Sequence, residues 1–140
     1  MANDRPYSGH IDRLKAAGLR PTRQRLALAR LLFGQGDRHL TAEQLHAEAA
    51  IARVPVSLAT VYNTLHQFTE AGLLREVVVE AGRSYFDTNV EDHHHFFHEA
   101  SGHLEDIASD RVGLQGVPAA PAGTRISRVD VIIRLSSDPE

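Results

Sequence analysis

The chain contains no cysteine. That absence removes disulfides and every thiolate-based zinc or iron–sulfur centre, so metal chemistry has to rest on His, Asp and Glu, which suit Fe(II), Mn(II) or Zn(II). Long apolar runs are missing as well. No stretch approaches the ~20 residues needed to cross a bilayer, and the N-terminal residues show no charged-then-apolar leader pattern. A cytoplasmic protein with no membrane partner is therefore expected. What remains is an ordinary globular composition of 140 residues, 42% hydrophobic. It suits one domain, or two small ones if the second is stabilised by oligomerisation.

The net charge of −3 hides an asymmetry. Residues 1–75 carry ten Lys/Arg against six Asp/Glu, whereas residues 76–140 carry five against twelve. A basic first half suits a polyanion; an acidic, histidine-bearing second half suits cations.

The histidines concentrate in Asp92-His93-His94-His95-Phe96-Phe97-His98, with carboxylates close by at Asp87, Glu91 and Glu99. In a strand, alternate side chains share a face. His93 and His95 then converge on one side, and His94 points to the other with Phe96 and His98. Two imidazoles held in that way are half of a first-row metal site, and the other half has to come from elsewhere in the chain. A solvated polar strand end is the alternative.

Along the chain, Ile11, Leu14 and Ala17 lie at helical spacing and Gly18 follows, which predicts a helix over residues 8–18. Thr22 is the expected N-cap of a second helix reaching Phe33. Thr41-Ala-Glu-Gln44 fits a capping box that opens a third helix to about Ala52. The fourth, from Ser57 to Ala71, carries an apolar stripe of Leu58, Val61, Leu65 and Phe68. Thr60, Asn63, Thr64 and Gln67 are expected on its polar face, short donors and acceptors of the kind that read base edges, with Tyr62 nearby. Residues 74–80 and 83–87 read as two strands joined at Ala81-Gly82. Three helices and a hairpin make a winged helix, in which the helix before the hairpin enters the major groove. Beyond the histidine run, residues 102–107 predict a short strand. A short helix is expected near residues 110–115, a Pro/Ala loop over residues 117–123, and a final strand over residues 124–135. A three-stranded sheet of this size buries too little alone, so a homodimer is expected.

In order along the chain, Ala17-Gly-Leu-Arg-Pro-Thr-Arg-Gln-Arg25, Arg38-His-Leu-Thr-Ala-Glu43, Val56-Ser-Leu-Ala-Thr-Val-Tyr-Asn-Thr-Leu65, Tyr85-Phe-Asp-Thr-Asn89 and Asp92-His-His-His-Phe-Phe97 carry a specific resemblance. The chain resembles the ferric uptake regulator family, most closely its iron response regulator branch. The resemblance implies an α+β protein: an N-terminal winged helix-turn-helix DNA-binding domain over residues 1–88, a hinge over 89–92, and a small α/β dimerisation and sensing domain over 93–140. It implies metal ligands His39, Asp87, His93, His95 and Asp106. Such a His/carboxylate set suits Fe(II) or Mn(II), with Zn(II) possible in vitro. DNA contacts would come from Arg20, Ser57, Thr60, Tyr62 and Asn63.

Departures from the family pattern carry information. The two Cys-x-x-Cys pairs that hold a structural zinc in many members are missing, with His98, Ser101 and Gly102 in the region of the first, so no structural zinc of the four-cysteine kind is expected. Asn63 stands where many members place an arginine; since Asn pairs best with adenine, the operator should differ from the usual one. Arg20 matches a basic residue that reaches an adjacent minor groove, which favours an A·T-rich, pseudo-palindromic operator. In the iron response branch the reporting ligand is typically haem. Without cysteine, only His93, His94 and His95 are haem candidates, with Phe96 and Phe97 covering the porphyrin face.

The function these features imply is a transcription regulator of iron and haem homeostasis, responsive to haem or to Fe(II)/Mn(II). Aspartate at position 106 is also similar to the peroxide-sensing branch, in which a histidine ligand is oxidised. A non-haem iron enzyme is the remote alternative. No second pocket-forming element is evident and a recognition helix would then be idle, so no enzyme is expected.

Overall fold

Among the described residues, three of the four helices begin at a hydroxyl residue that spends its side chain on an orphan backbone N–H. Helix α2, Arg23–Phe33, starts at Thr22, whose Oγ1 accepts from the Arg25 N–H. Helix α3, Ala42–Ile51, starts at Thr41 with both bonds of the capping box formed: Gln44 N–H to Thr41 Oγ1 at 3.1 Å and Thr41 N–H to Gln44 Oε1 at 2.9 Å. Helix α4, Leu58–Glu70, starts at Ser57. Helix α1 is Ser8–Ala16. Gly72, at φ +82°, takes the left-handed turn that ends α4. After α3 the same left-handed position is filled by Arg53, at φ +61°.

The computed structural model describes residues 8–137. The outermost residues of the two expected domains, 1–7 and 138–140, lie outside the described residues. The chain forms two compact units, one running to Val90 and one beginning at Glu91.

In the first unit, strands β1 (His39–Leu40), β2 (Arg75–Glu80) and β3 (Arg83–Asp87) make an antiparallel sheet in the order β1-β3-β2. The expected hairpin forms at Ala81-Gly82. The two-residue strand β1, whose residues the sequence offers only as a lead-in to α3, joins it on the far side of β3. Leu40 pairs with Phe86 across the sheet, and both enter one apolar cluster with Leu14, Leu28, Leu32, Leu45, Val61, Leu65, Phe68 and Leu74. The helices and one face of the sheet thus share a core. Helix α4 sits in it along Val61, Leu65 and Phe68, all 0% exposed.

The second unit is a sheet in the order β5-β4-β6, formed by β4 (His93–His98), β5 (His103–Ala108) and β6 (Ile132–Leu135). β4 and β5 are an antiparallel hairpin, and β6 lies parallel to β4 with Ile132 opposite His95. Two expectations are corrected here. The helix expected near residues 110–115 is only a single 3-10 turn, Ser109–Arg111, with no side-chain cap at Ala108. Six residues that include Gly113 are too few to nucleate a helix without one. The final strand, expected from residue 124, begins at Ile132. In the observed register, residues before Asp130 run past the start of β4 and have no strand to pair with.

Core and cap contributions separate by size. Leu65→Ala is expected to lower stability by about 2–5 kcal/mol, against ~1 kcal/mol for Thr41→Ala. Urea denaturation of the two variants checks the ranking.

Candidate metal centre and nucleic-acid interface

Strand alternation sorts the histidine run. His93 and His95 project from one face of β4, and His94, Phe96 and His98 from the other. The register of the hairpin sets Asp106 directly opposite His95. Asp106 Oδ1 lies 3.3 Å from His95 Nε2 and 3.5 Å from His93 Nε2, with the two rings 4.6 Å apart. His93 Nδ1 meets the Glu91 carbonyl oxygen at 2.6 Å. A carbonyl can only accept, so Nδ1 carries the proton and Nε2 is left as the coordinating atom. The three donors lie within 4.8 Å of one another. Ligands of one ion with bonds of ~2.0–2.2 Å are separated by roughly 3 Å, so His93, His95 and Asp106 fit a divalent cation with little movement.

The two other expected ligands meet in the first unit. His39 on β1 is the cross-strand partner of Asp87 on β3, so their side chains share a face. Asp87 is 1% exposed, and its Oδ1 accepts from the Asn89 N–H at 2.9 Å. The approach of β1 is pinned by reciprocal bonds between Arg38 and Thr88: Arg38 N–H to Thr88 Oγ1 at 2.8 Å, and Thr88 N–H to Arg38 O at 2.9 Å. The Arg38 guanidinium in turn binds both carboxylate oxygens of Glu48 on α3. On its other side Asp87 faces Arg75 of β2, a buried arginine. Leu40 and Phe86 project into the helical core, so His39, Asp87, Arg75 and Tyr85 occupy the opposite sheet face, with the Tyr85 ring edge-on to His39 at 6.1 Å. Sequence reasoning passed over Arg75, Thr88 and the Glu91 carbonyl. Only the strand register, which a single sequence does not reveal, exposes them.

The expected haem candidates divide between the two faces of β4. His94 is turned away from His93 and His95, and its Nδ1 accepts the Val131 N–H at 3.1 Å. Phe96 and Phe97, expected to cover one porphyrin face together, diverge to opposite faces as strand neighbours must. Phe97 is 1% exposed, with the Arg134 guanidinium 5.7 Å above its ring, whereas Phe96 is only half-buried.

Of the expected DNA-contacting residues, Arg20 and Asn63 are exposed. Ser57 and Thr60 are engaged in the helix start: Ser57 Oγ accepts the Thr60 N–H at 3.1 Å and bonds Thr60 Oγ1 at 2.9 Å. Thr64, expected on the polar face, is 5% exposed and faces inward instead; a threonine methyl packs acceptably at a core position of the helix. Gln67 Oε1 accepts two bonds from Arg25, whose remaining guanidinium nitrogen donates to the Arg20 carbonyl at 2.9 Å. The connector bearing Arg20 is thereby tied to α4. Tyr62 O–H donates to Glu43 Oε2 at 2.9 Å, a partner that sequence reasoning missed.

Likeness to known proteins bears directly on this arrangement. Residues 16–133 match the model of the ferric uptake regulator family. The ferric uptake regulation protein of Shigella flexneri is 34% identical over 116 residues, covering 81% of this chain and 78% of that protein. The chain belongs to the ferric uptake regulator family. Members of this family are metal-responsive transcription regulators. The peroxide-responsive repressor PerR of Staphylococcus epidermidis is 32% identical, over 74% of this chain and 69% of the repressor. In architecture the chain matches the crystal structure of the Vibrio cholerae ferric uptake regulator with a TM-score of 0.72 at 23% identity, covering 91% of this chain and 99% of that one. The α+β fold expected from the sequence is thus the family fold. Among the described residues, no helix is long and apolar enough to cross a membrane.

The Glu43 carboxylate accepts from the Tyr62 phenol and opposes its ionisation, so the Tyr62 pKa lies above the ordinary tyrosine value, the hydrogen bond being the larger cause. Glu43→Gln should lower it toward that value. Spectrophotometric titration of tyrosinate in the two proteins checks the direction.

Proposed function

We propose that the chain is a metal-dependent DNA-binding regulator in which one divalent cation, held by His39, Asp87, His93, His95 and Asp106, controls operator binding through α4. The observation that carries the reading is the convergence of two imidazole Nε2 atoms on the Asp106 carboxylate in the second unit. The pairing of His39 with Asp87 in the DNA-binding unit supports it. Three imidazoles and two carboxylates, without thiolate, suit Fe(II) or Mn(II), with Zn(II) able to replace them in vitro. Bound there, the ion supplies the positive charge that its imidazole and carboxylate ligands share. The protein's part is to hold the His93 tautomer through Glu91 and the His39–Asp87 pair through Arg38 and Thr88.

On the DNA side, α4 presents Asn63 outward, with half-buried Tyr62 beside it, while Val61, Leu65 and Phe68 anchor it. Asn63 favours adenine, and Arg20, on its tied connector, suits a narrow A·T-rich minor groove. The second unit leaves Leu114, Val117, Ile126, Val129 and Ile133 substantially exposed. Apolar surface of that kind supports a homodimer reading a pseudo-palindromic operator. The regulator is not an enzyme in this reading, since its donors serve to hold an ion rather than a substrate. Haem, the signal that the iron response branch implies, would have to use His93, His94 or His95. The bond from Val131 to His94 and the divergence of Phe96 and Phe97 favour the bare ion.

A second reading rests on aspartate at position 106 and on the likeness to the peroxide-responsive repressor. In that case the same ion-bound protein senses peroxide, and mass spectrometry after Fe(II) and peroxide should find one added oxygen atom on His39 or His93.

The proposal is tested on DNA selected from a random pool. Asn63→Ala should weaken binding by about 1–3 kcal/mol and relax specificity at one position. His93→Ala with His95→Ala should abolish the dependence on Mn(II) and leave the fold intact. Metal dependence that survives the double change refutes the site, and a Soret band that only the wild type develops with hemin moves the conclusion to haem.

A further inference from the structure

The hairpin that carries His93, His95 and Asp106 gathers a second set of donors at its other end. His98 and His103 are the last cross-strand pair before the turn. The turn is closed by Gly102 N–H to His98 O at 2.8 Å and by His103 N–H to Ser101 Oγ at 3.2 Å. The two imidazole rings lie 5.4 Å apart, tilted by 38°. Glu105, two residues beyond His103 and therefore on the same face, places Oε1 2.9 Å from His98 Nε2. Strand alternation keeps these three on the face opposite His93, His95 and Asp106. They are a separate group, and none of them belongs to the site proposed above.

The second unit has a physical use for such a group. Among its described residues the buried large apolar side chains are Phe97 and Leu104, with Ile107 less completely covered, while the buried apolar cluster of the protein lies within residues 14–86. A unit of about 50 residues with so small a core ordinarily needs a disulfide, a metal or a partner chain. Cysteine is absent from the sequence, which removes the first.

We propose that His98, His103 and Glu105 form a second divalent-cation site that clamps the turn end of the β4–β5 hairpin. Two neutral imidazoles and one carboxylate around an open position are the donor set of borderline first-row cations, of which Zn(II) is the best fit. Glu105 already meets His98, and the exposed His103 side chain, its ring 5.4 Å from that of His98, has to turn toward them to complete the site. His98 and Glu105 keep 36% and 52% of their side-chain surface exposed, so an ion reaches the site from solvent. By locking the β4–β5 register, the clamp also holds Asp106 opposite His95 at the other end of the same ladder.

The test is a Zn(II) titration of the full chain against a chromophoric chelator, with thermal denaturation in parallel. His98→Gln with His103→Gln should take up one equivalent fewer than the wild type and lose part of the Zn(II)-dependent rise in Tm. His93→Gln with His95→Gln should lose the other equivalent and keep the second site, so failure of either site is seen separately. Should the first double variant fold poorly, Glu105→Gln leaves both rings in place and should weaken the second site about tenfold or more. In the wild type, sub-stoichiometric Zn(II) should move the ring resonances of His98 and His103. Unchanged stoichiometry and affinity in the His98/His103 variant, or Zn(II) shifts spread evenly over all the histidines, overturn the proposal.

Discussion

A single carboxylate oxygen between two imidazoles, Asp106 Oδ1 with His93 Nε2 and His95 Nε2, depends on the strand register more than on any local preference. Were β5 to slip by one residue, Asp106 would turn to the opposite face and the two buried rings would confront Glu105 or Ile107 across the pleat. Buried imidazoles left without partners are costly. The register is held by the ladder from His93–Ala108 to His98–His103 and by the tight turn at Gly102. Glu91 completes the arrangement through its backbone, fixing which nitrogen of His93 is available. The chemistry of the second unit is thus built into a hairpin of two six-residue strands.

The first unit meets the same requirement with a sheet whose faces have different tasks. Leu40, Leu74 and Phe86 join the helices in the core and place α4 rigidly. The opposite face carries His39, Asp87 and Arg75 side by side across β1, β3 and β2. Because residues opposed in register share a face, whatever orders the core strand β3 also orders the face that carries His39 and Asp87. Arg75 has a part in this: the buried carboxyl group of Asp87 is faced across the ladder by a buried arginine. The Arg38–Glu48 pair carries the connection one step further, from the strand that holds His39 to helix α3.

The helices were legible in the sequence because their signals are local. Thr22, Thr41 and Ser57 cap where a hydroxyl precedes an apolar period, and Gly72 ends α4. The hairpins were legible from β-branched and aromatic runs around glycine turns, and with them the alternation of His93, His94 and His95. What was not legible depends on partners distant in sequence. β6 is shorter than its apolar alternation suggests because β4 offers nothing for residues 124–129 to pair with. Two-residue β1 has too little sequence to show a period, and Arg53 does the work of a C-cap glycine without looking like one. Thr64 reads as polar by type yet faces the core, and Phe96 and Phe97, adjacent in sequence, cannot share a face of a strand. The proposed metal donors needed both kinds of information. His93 and His95 follow from spacing, whereas His39, Asp87 and Asp106 entered through family resemblance, and the pairings of His39 with Asp87 and of Asp106 with His95 became physical only in the sheets.

The central claim is that His93, His95 and Asp106 of the β4–β5 hairpin hold a divalent cation. X-ray absorption at the metal edge tests it most directly, on Mn(II)-loaded wild type and on His95→Ala. The account predicts a shell of nitrogen and oxygen donors with imidazole scattering, reduced by one imidazole in the variant. Identical spectra from the two proteins would contradict it.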